Sequence, residues 1–220
     1  LLRNQTPFVP LQFESIDKKL QRFGVVVAKG TFDIVNGQRL RISSEQAAPV
    51  LEDQYFDSPA ASSLRIDSSL SAYKPATDVL VEATAWSPSG KPEREWVSTI
   101  QAGDLVKSIR VTGPRTWVRT LLGRRLTDIE PVEKVDVRYE KAFGGVSAAD
   151  PLDRCAENPV GTGYAAGQYS NDVPCPQLLP PEISVPVFGR RMKPMGLGPI
   201  APSWNPRAIH SGNYTEAWTQ

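Results

Sequence analysis

Proline and glycine are spread unevenly along this chain, and their distribution limits what it can fold into. Residues 144–220 hold 9 Gly and 11 Pro in 77 positions, whereas residues 1–143 hold 7 Gly and 9 Pro. Regular helices and central strands tolerate neither type well: proline lacks an amide N–H, and glycine loses more backbone freedom on ordering. The sheet is therefore expected within residues 1–143, and ordered loop packed on the same domain within 144–220. The second part is too rich in proline for a flexible Gly/Ser linker. It also carries Tyr164, Tyr169, Phe188, Trp204, Tyr214 and Trp218, residue types that disordered segments lack. Long surface loops pinned to the sheet by aromatic anchors are the expectation.

The first part reads as short strands. Phe23 to Ala28 is a Val-rich run, the pattern of a strand buried on both faces. Thr31–Val35 and Gln38–Ile42 flank Asn36-Gly37, a hairpin signal for a type I′ turn with positive φ at both central residues. Phe32 and Ile34 would share a face with Leu40 and Ile42. Asp78 to Trp86 is a further strand candidate, ended by the turn cluster Ser87-Pro88-Ser89-Gly90. Glu95 to Gln101 sets Trp96, Ser98 and Ile100 against Val97 and Thr99. Leu105 to Thr112 alternates in the same way, and Val135, Val137 and Tyr139 give one more run of period two. The fold expected is mainly β, an antiparallel β-sandwich or an open barrel, with long Pro/Gly-rich ordered loops in the C-terminal third. Only Ser44–Val50 and Ser211–Trp218 read as helical.

Charge and hydropathy exclude several functions. The formal net charge is +1, so no global field draws nucleic acid or an anionic membrane. Arg115, Arg119, Arg124 and Arg125 cluster locally and read as a solvated face. No apolar run approaches the roughly 20 residues of a membrane-spanning helix. Leu1 to Gln12 does not read as a secretory signal. Two cysteines are too few for a disulfide-built scaffold. A cytoplasmic protein is expected.

The chain offers little catalytic chemistry. Its one histidine, His210, has no nucleophile elbow to serve. Cys155, Cys175 and His210 lack the short-spaced pairs of a structural zinc site. The two cysteines read as buried thiols, with a disulfide as the alternative. Glu52, Asp53 and Asp57 form an acidic loop cluster that could pair for acid–base work, and Glu140 is a further candidate. Gly161-Thr162-Gly163 lacks the Lys-Ser/Thr ending of a phosphate loop. No catalytic residue, cofactor or metal is expected. A carboxylate-dependent hydrolase is the enzymatic alternative.

Several runs, in order, carry a resemblance. They are Asn4–Phe8, Phe23–Ile34, Ser69–Val79, Val111–Trp117, Tyr139–Gly145 and Asn158–Tyr164, then Pro194–Ile200 continuing through Trp204, Pro206-Arg207 and Gly212-Asn213-Tyr214 to Trp218. Together they span nearly the whole chain and resemble domain-of-unknown-function family 2169, found in type VI secretion gene clusters. Thr215 stands where the family usually has Asp. The family's domain also tends to continue beyond the position of Gln220. The resemblance implies an adaptor or chaperone that binds a toxic secreted effector in the cytoplasm and helps load it onto the spike, with a PAAR-type tip protein as a further partner. It implies no catalytic residue and no cofactor. Trp204, Arg207, Tyr214 and Trp218 are of the types that dominate interface hot spots, and are the candidate protein-binding residues. The alternative is that these aromatics fasten loops to the sheet. A structural part of the secretion apparatus is the other functional reading.

Overall fold

The computed structural model describes residues 3–17, 19–59, 61–71, 76–169, 171–205 and 207. The chain forms two compact units. The described residues within 1–54 and 66–76 belong to the first, and those within 55–65 and 77–210 to the second.

In the first unit, β1 (Val9–Ile16) and β2 (Arg22–Lys29) pair antiparallel, with Leu11 opposite Val27 and Phe13 opposite Val25. Both strands alternate strictly between half-buried and exposed residues. The Val-rich run is therefore not buried on both faces: Val26 is 58% exposed. A continuous apolar run cannot tell how many layers will cover it, and here the sheet has two strands.

The Asn-Gly hairpin forms with a different turn. β3 (Phe32–Asp33) pairs with β4 (Arg41–Ile42), Phe32 opposite Ile42. Only Gly37 has positive φ, +71°, and the Gln38 N–H donates to the Val35 carbonyl at 3.1 Å. That is the requirement of a type II turn, not type I′. Ser44–Val50 is not helical. The Gln46 side chain instead bonds both backbone groups of Thr31, at 2.9 and 3.0 Å, an alternative that competes with the helical ladder. The other helical candidate, Ser211–Trp218, lies outside the described residues.

No described residue of the first unit is buried. A two-stranded hairpin without a covered face is marginally stable. Amides of β1 and β2 are therefore expected to exchange with deuterium about 100-fold or more faster than those of the central strands of the second unit. Equal protection in a hydrogen-exchange experiment would contradict this.

β5 (Gln54–Tyr55) and β6 (Leu64–Ile66) lie where the chain passes between the units. The second unit then runs through β7 (Thr84–Trp86), β8 (Glu95–Ala102), β9 (Leu105–Thr112), β10 (Thr116–Thr120), β11 (Gly123–Leu126), β12 (Lys134–Asp136), β13 (Phe143–Gly144), β14 (Thr162–Gly163), β15 (Val173–Pro174) and β16 (Leu178–Leu179). β8 and β9 form its longest hairpin, extended by β16. β7 pairs with β12, and β10 lies between β11 and β15. All these pairings are antiparallel; the short pair β13–β14 is parallel. The fold is thus mainly β and sandwich-like, and among the described residues no sheet closes into a barrel.

The core explains the pairing. Ala85 of β7 and Val135 of β12 share one buried cluster with Trp96, Ile109, Val111 and Leu178 of the other sheet. Burying each of the larger aliphatic side chains contributes about 1.5–3 kcal/mol. The expected alternation in β8 holds: Trp96, Ser98 and Ile100 point inward, Val97 and Thr99 outward. Among the described residues after 144 there are two-residue strands, one short 3-10 turn, Ala166–Gln168, and helical backbone at Asn205 and Arg207, so this region is mostly ordered loop. Its aromatics fasten it. The Tyr169 hydroxyl donates to the Val146 carbonyl and that of Tyr164 to Asp153, each at 2.6 Å, and Phe188 packs edge-on against Trp117. No helix among the described residues is long and apolar enough to cross a membrane.

Candidate functional site

Three of the sequence motifs converge on Tyr139 and Asn158. β12 ends at Asp136, and Tyr139 opens a 3-10 turn, Tyr139–Lys141, with its ring buried. The hydroxyl donates to the Gly198 carbonyl at 3.4 Å, and burial pushes the phenol up to about 12. Trp204 meets the ring edge-on, centroids 5.3 Å apart at 86°, a favoured aromatic geometry. A Cβ at Gly196 would sit 2.5 Å from the Tyr139 ring, so only glycine lets this backbone pass. The run Pro194–Ile200 and Trp204 thus close over Tyr139.

Asn158 is completely buried. Its Nδ2 donates to the carbonyls of Tyr139 at 2.8 Å and Phe143 at 2.9 Å. Gly161 approaches so closely that a Cβ there would lie 2.4 Å from that same Nδ2. The approach lets β13 and β14 pair, Phe143 opposite Thr162. Thr162 adds bonds to the carbonyls of Ala142 at 2.9 Å and Glu140 at 3.1 Å. The result is one polar knot in which each motif supplies donors or acceptors to another.

Two of the four acidic candidates have other engagements. Both Glu140 oxygens are taken by Ser63: its N–H at 2.6 Å and its hydroxyl at 2.8 Å. In the first unit, Asp53 accepts the Ser68 N–H at 2.9 Å. Glu52 and Asp57 are exposed. Among the described residues no three of His, Cys, Asp and Glu are grouped to hold a metal ion. His210 lies outside the described residues.

Cys155 and Cys175 are both free, buried thiols, which resolves the alternative left open by the sequence. Burial raises both, Cys175 to about 11, although the nearby Arg115 opposes the rise. In the unfolded chain the thiols ionise near 9. Between pH 9 and 11 the unfolded chain therefore releases protons that folded Cys175 keeps, and stability falls as pH rises through that window. Two thiols are expected to react with Ellman's reagent in guanidinium and neither promptly in the native protein at pH 8. A prompt native thiol would contradict the burial.

The candidate binding residues separate. Trp204 is only 4% exposed. The half-buried Arg207 donates to the Ile200 carbonyl at 3.1 Å. Tyr214 and Trp218 lie outside the described residues. Sequence reasoning missed a different feature, the tip of the β10–β11 hairpin. There Leu121 and Leu122 are as exposed as free side chains, at 105% and 102%. Arg119, Thr120, Leu121, Gly123, Arg124, Gln168 and Tyr169 line an open cleft of about 490 Å³ beside it. The available signal was two leucines set among Arg119, Arg124 and Arg125 at a place where turns use small or polar residues.

A bacterial family described as "Uncharacterized protein conserved in bacteria (DUF2169)" matches residues 20–220. The chain belongs to that family. No curated protein and no solved structure matches it. In this DUF2169 chain, the converging segments Tyr139–Gly145, Asn158–Tyr164 and Pro194–Trp204 all fall within the matched region. At Asn158, Gly161, Gly196 and Trp204 they determine how the loops are built.

Proposed function

We propose that this DUF2169 chain is a non-enzymatic adaptor, or chaperone. It binds a toxic effector of a type VI secretion system in the cytoplasm and aids its loading onto the spike, with a PAAR-type tip protein as a further partner. One observation carries the reading. Asn158 bonds the Tyr139 carbonyl and Trp204 packs on the Tyr139 ring, which holds the loops, while Leu121 and Leu122 stand wholly in solvent. Loops already ordered lose little freedom on binding. Each exposed leucine leaves about 1.5–3 kcal/mol of burial unrealised until a partner covers it. A bound protein supplies that cover. The engagement of both Glu140 oxygens with Ser63 weighs against a hydrolase built on that carboxylate.

The test is affinity capture of the tagged full-length chain from its native host, read by mass spectrometry. Recovery of one toxin-like protein, with or without a tip protein, is the expected result. Recovery of sheath, baseplate or membrane-complex proteins instead would make the chain part of the apparatus.

A further inference from the structure

The tip of the β10–β11 hairpin is built in a way that local folding does not require. Thr120 faces Gly123 across the hairpin, which leaves Leu121 and Leu122 as the two loop residues. Such loops favour Asn, Asp and Gly, whose backbones or side chains suit a tight turn. Leucine brings no such advantage. Here Gly123, at φ +127°, takes the unusual backbone conformation just after them.

The hairpin is also held firmly. Arg124 donates to the Asn171 carbonyl at 2.7 Å and to that of Tyr169, and its guanidinium lies 4.9 Å from the centre of the Phe188 ring. The Arg119 N–H bonds the Asp172 carboxylate at 3.0 Å, and the Thr120 hydroxyl bonds the Gly123 carbonyl at 3.1 Å. The base pairs with β15 through Thr116 and Trp117. The apolar tip is therefore presented on a braced support.

Charge surrounds it. Arg119 and Arg124 are paired across the hairpin and line the cleft, and Arg125 is exposed on the opposite face, opposite Val118. Among the described residues neither Arg119 nor Arg125 forms an ion pair. Asp172 is the acidic group beside Arg119, so the basic side chains outnumber it.

We infer that this tip and its cleft are the face on which the chain docks its protein partner, an inference that rests on the adaptor reading. Leu121 and Leu122 enter an apolar pocket, and Arg119 with the cleft on one side of the tip and Arg125 on the other take carboxylates on the pocket's acidic rim. A convex apolar tip beside a concave polar cleft suits a folded protein surface, which can match both shapes. A lipid bilayer offers a plane, which fits the convex tip but not the concave cleft beside it. Complementary charge at the rim speeds encounter and selects the partner, while the buried apolar centre sets its lifetime.

The test uses the full-length chain with p-benzoylphenylalanine in place of Leu122, photo-crosslinked in the native host. The captured protein is then purified and titrated against wild type, the double variant Leu121→Ser/Leu122→Ser and the double variant Arg119→Glu/Arg125→Glu. The expected crosslink falls on a secreted effector, in an apolar pocket bordered by Asp or Glu. Both variants weaken binding about 10-fold or more, and raising salt weakens wild-type binding. Thermal melting of both variants stays at the wild-type temperature, because the altered side chains support no other part of the fold. If the effector is captured but both variants bind within threefold of wild type, this face is wrong and the adaptor reading stands. If no effector crosslinks at Leu122 while affinity capture of the tagged wild-type chain still recovers one, this face is wrong and the adaptor reading stands; if neither recovers one, the adaptor reading fails and this inference with it. Binding to phosphatidylcholine–phosphatidylserine vesicles that is lost in the leucine variant, without an effector crosslink, would assign the tip to lipid and overturn the proposal.

Discussion

Asn158→Ala is expected to destabilise the protein by about 2–4 kcal/mol, because it takes a buried amide donor from two carbonyls at once, of which Tyr139's keeps the Ala142 N–H. The Asn158 amide nitrogen reaches Tyr139 at 2.8 Å and Phe143 at 2.9 Å, and the residue has no exposure to water. A buried acceptor left without a donor costs about 1–3 kcal/mol, and the vacated space adds a packing loss. Water is a poor substitute, since Gly161 and the neighbouring backbone already crowd the site. Asn158→Asp is expected to do at least as much damage, because a carboxylate brings no N–H to these carbonyls. Urea denaturation followed by tryptophan fluorescence gives the number. A loss below about 1 kcal/mol would mean that the knot does not hold the loops.

Trp204→Ala gives the second large effect, a loss of about 3–5 kcal/mol. The indole is 4% exposed and shares its cluster with Leu64, Tyr139 and Ala201. Its removal takes away the edge-on contact with Tyr139 and opens a void over that ring. Trp204→Phe, which keeps an aromatic ring, is expected to lose less than half as much. The experiment also separates two roles for this residue. An anchor loses stability on truncation, whereas a surface contact loses partner binding and leaves the denaturation midpoint in place. A midpoint at the wild-type value would contradict the burial.

The strands were legible where one face is covered and the other wet. Trp96, Ser98 and Ile100 against Val97 and Thr99 follow from a period of two, as does the burial of Val135, Val137 and Tyr139, although the strand there stops at Asp136 and Tyr139 opens a 3-10 turn. The same reasoning finds the strand at Phe23–Ala28 but overstates its burial, because apolar content does not report whether a second layer exists to cover it. Asn36-Gly37 announced a hairpin correctly but not its turn, since glycine's positive φ alone satisfies type II. Ser44–Val50 lost its helix to a side chain: Gln46 bonds a backbone 15 residues away, which no local propensity encodes.

The site was less legible than the fold. Asn158 reads in sequence as a loop residue, and only tertiary structure shows two carbonyls aimed at its amide. Trp204 was recognised as important by type, but type does not distinguish a hot spot from an anchor. Leu121 and Leu122 lie between two strands that hydrophobic periodicity does not reveal, since β10 and β11 are short and carry three arginines. Once the register pairs Thr120 with Gly123, the leucines can only be at the tip.

The most direct test of the adaptor account is a quantitative comparison of secreted proteins from the native host with and without this gene. The account predicts that one effector disappears from the medium and fails to accumulate in the cell, while other secreted effectors are unchanged. Loss of every effector together, or no change in any, would contradict it.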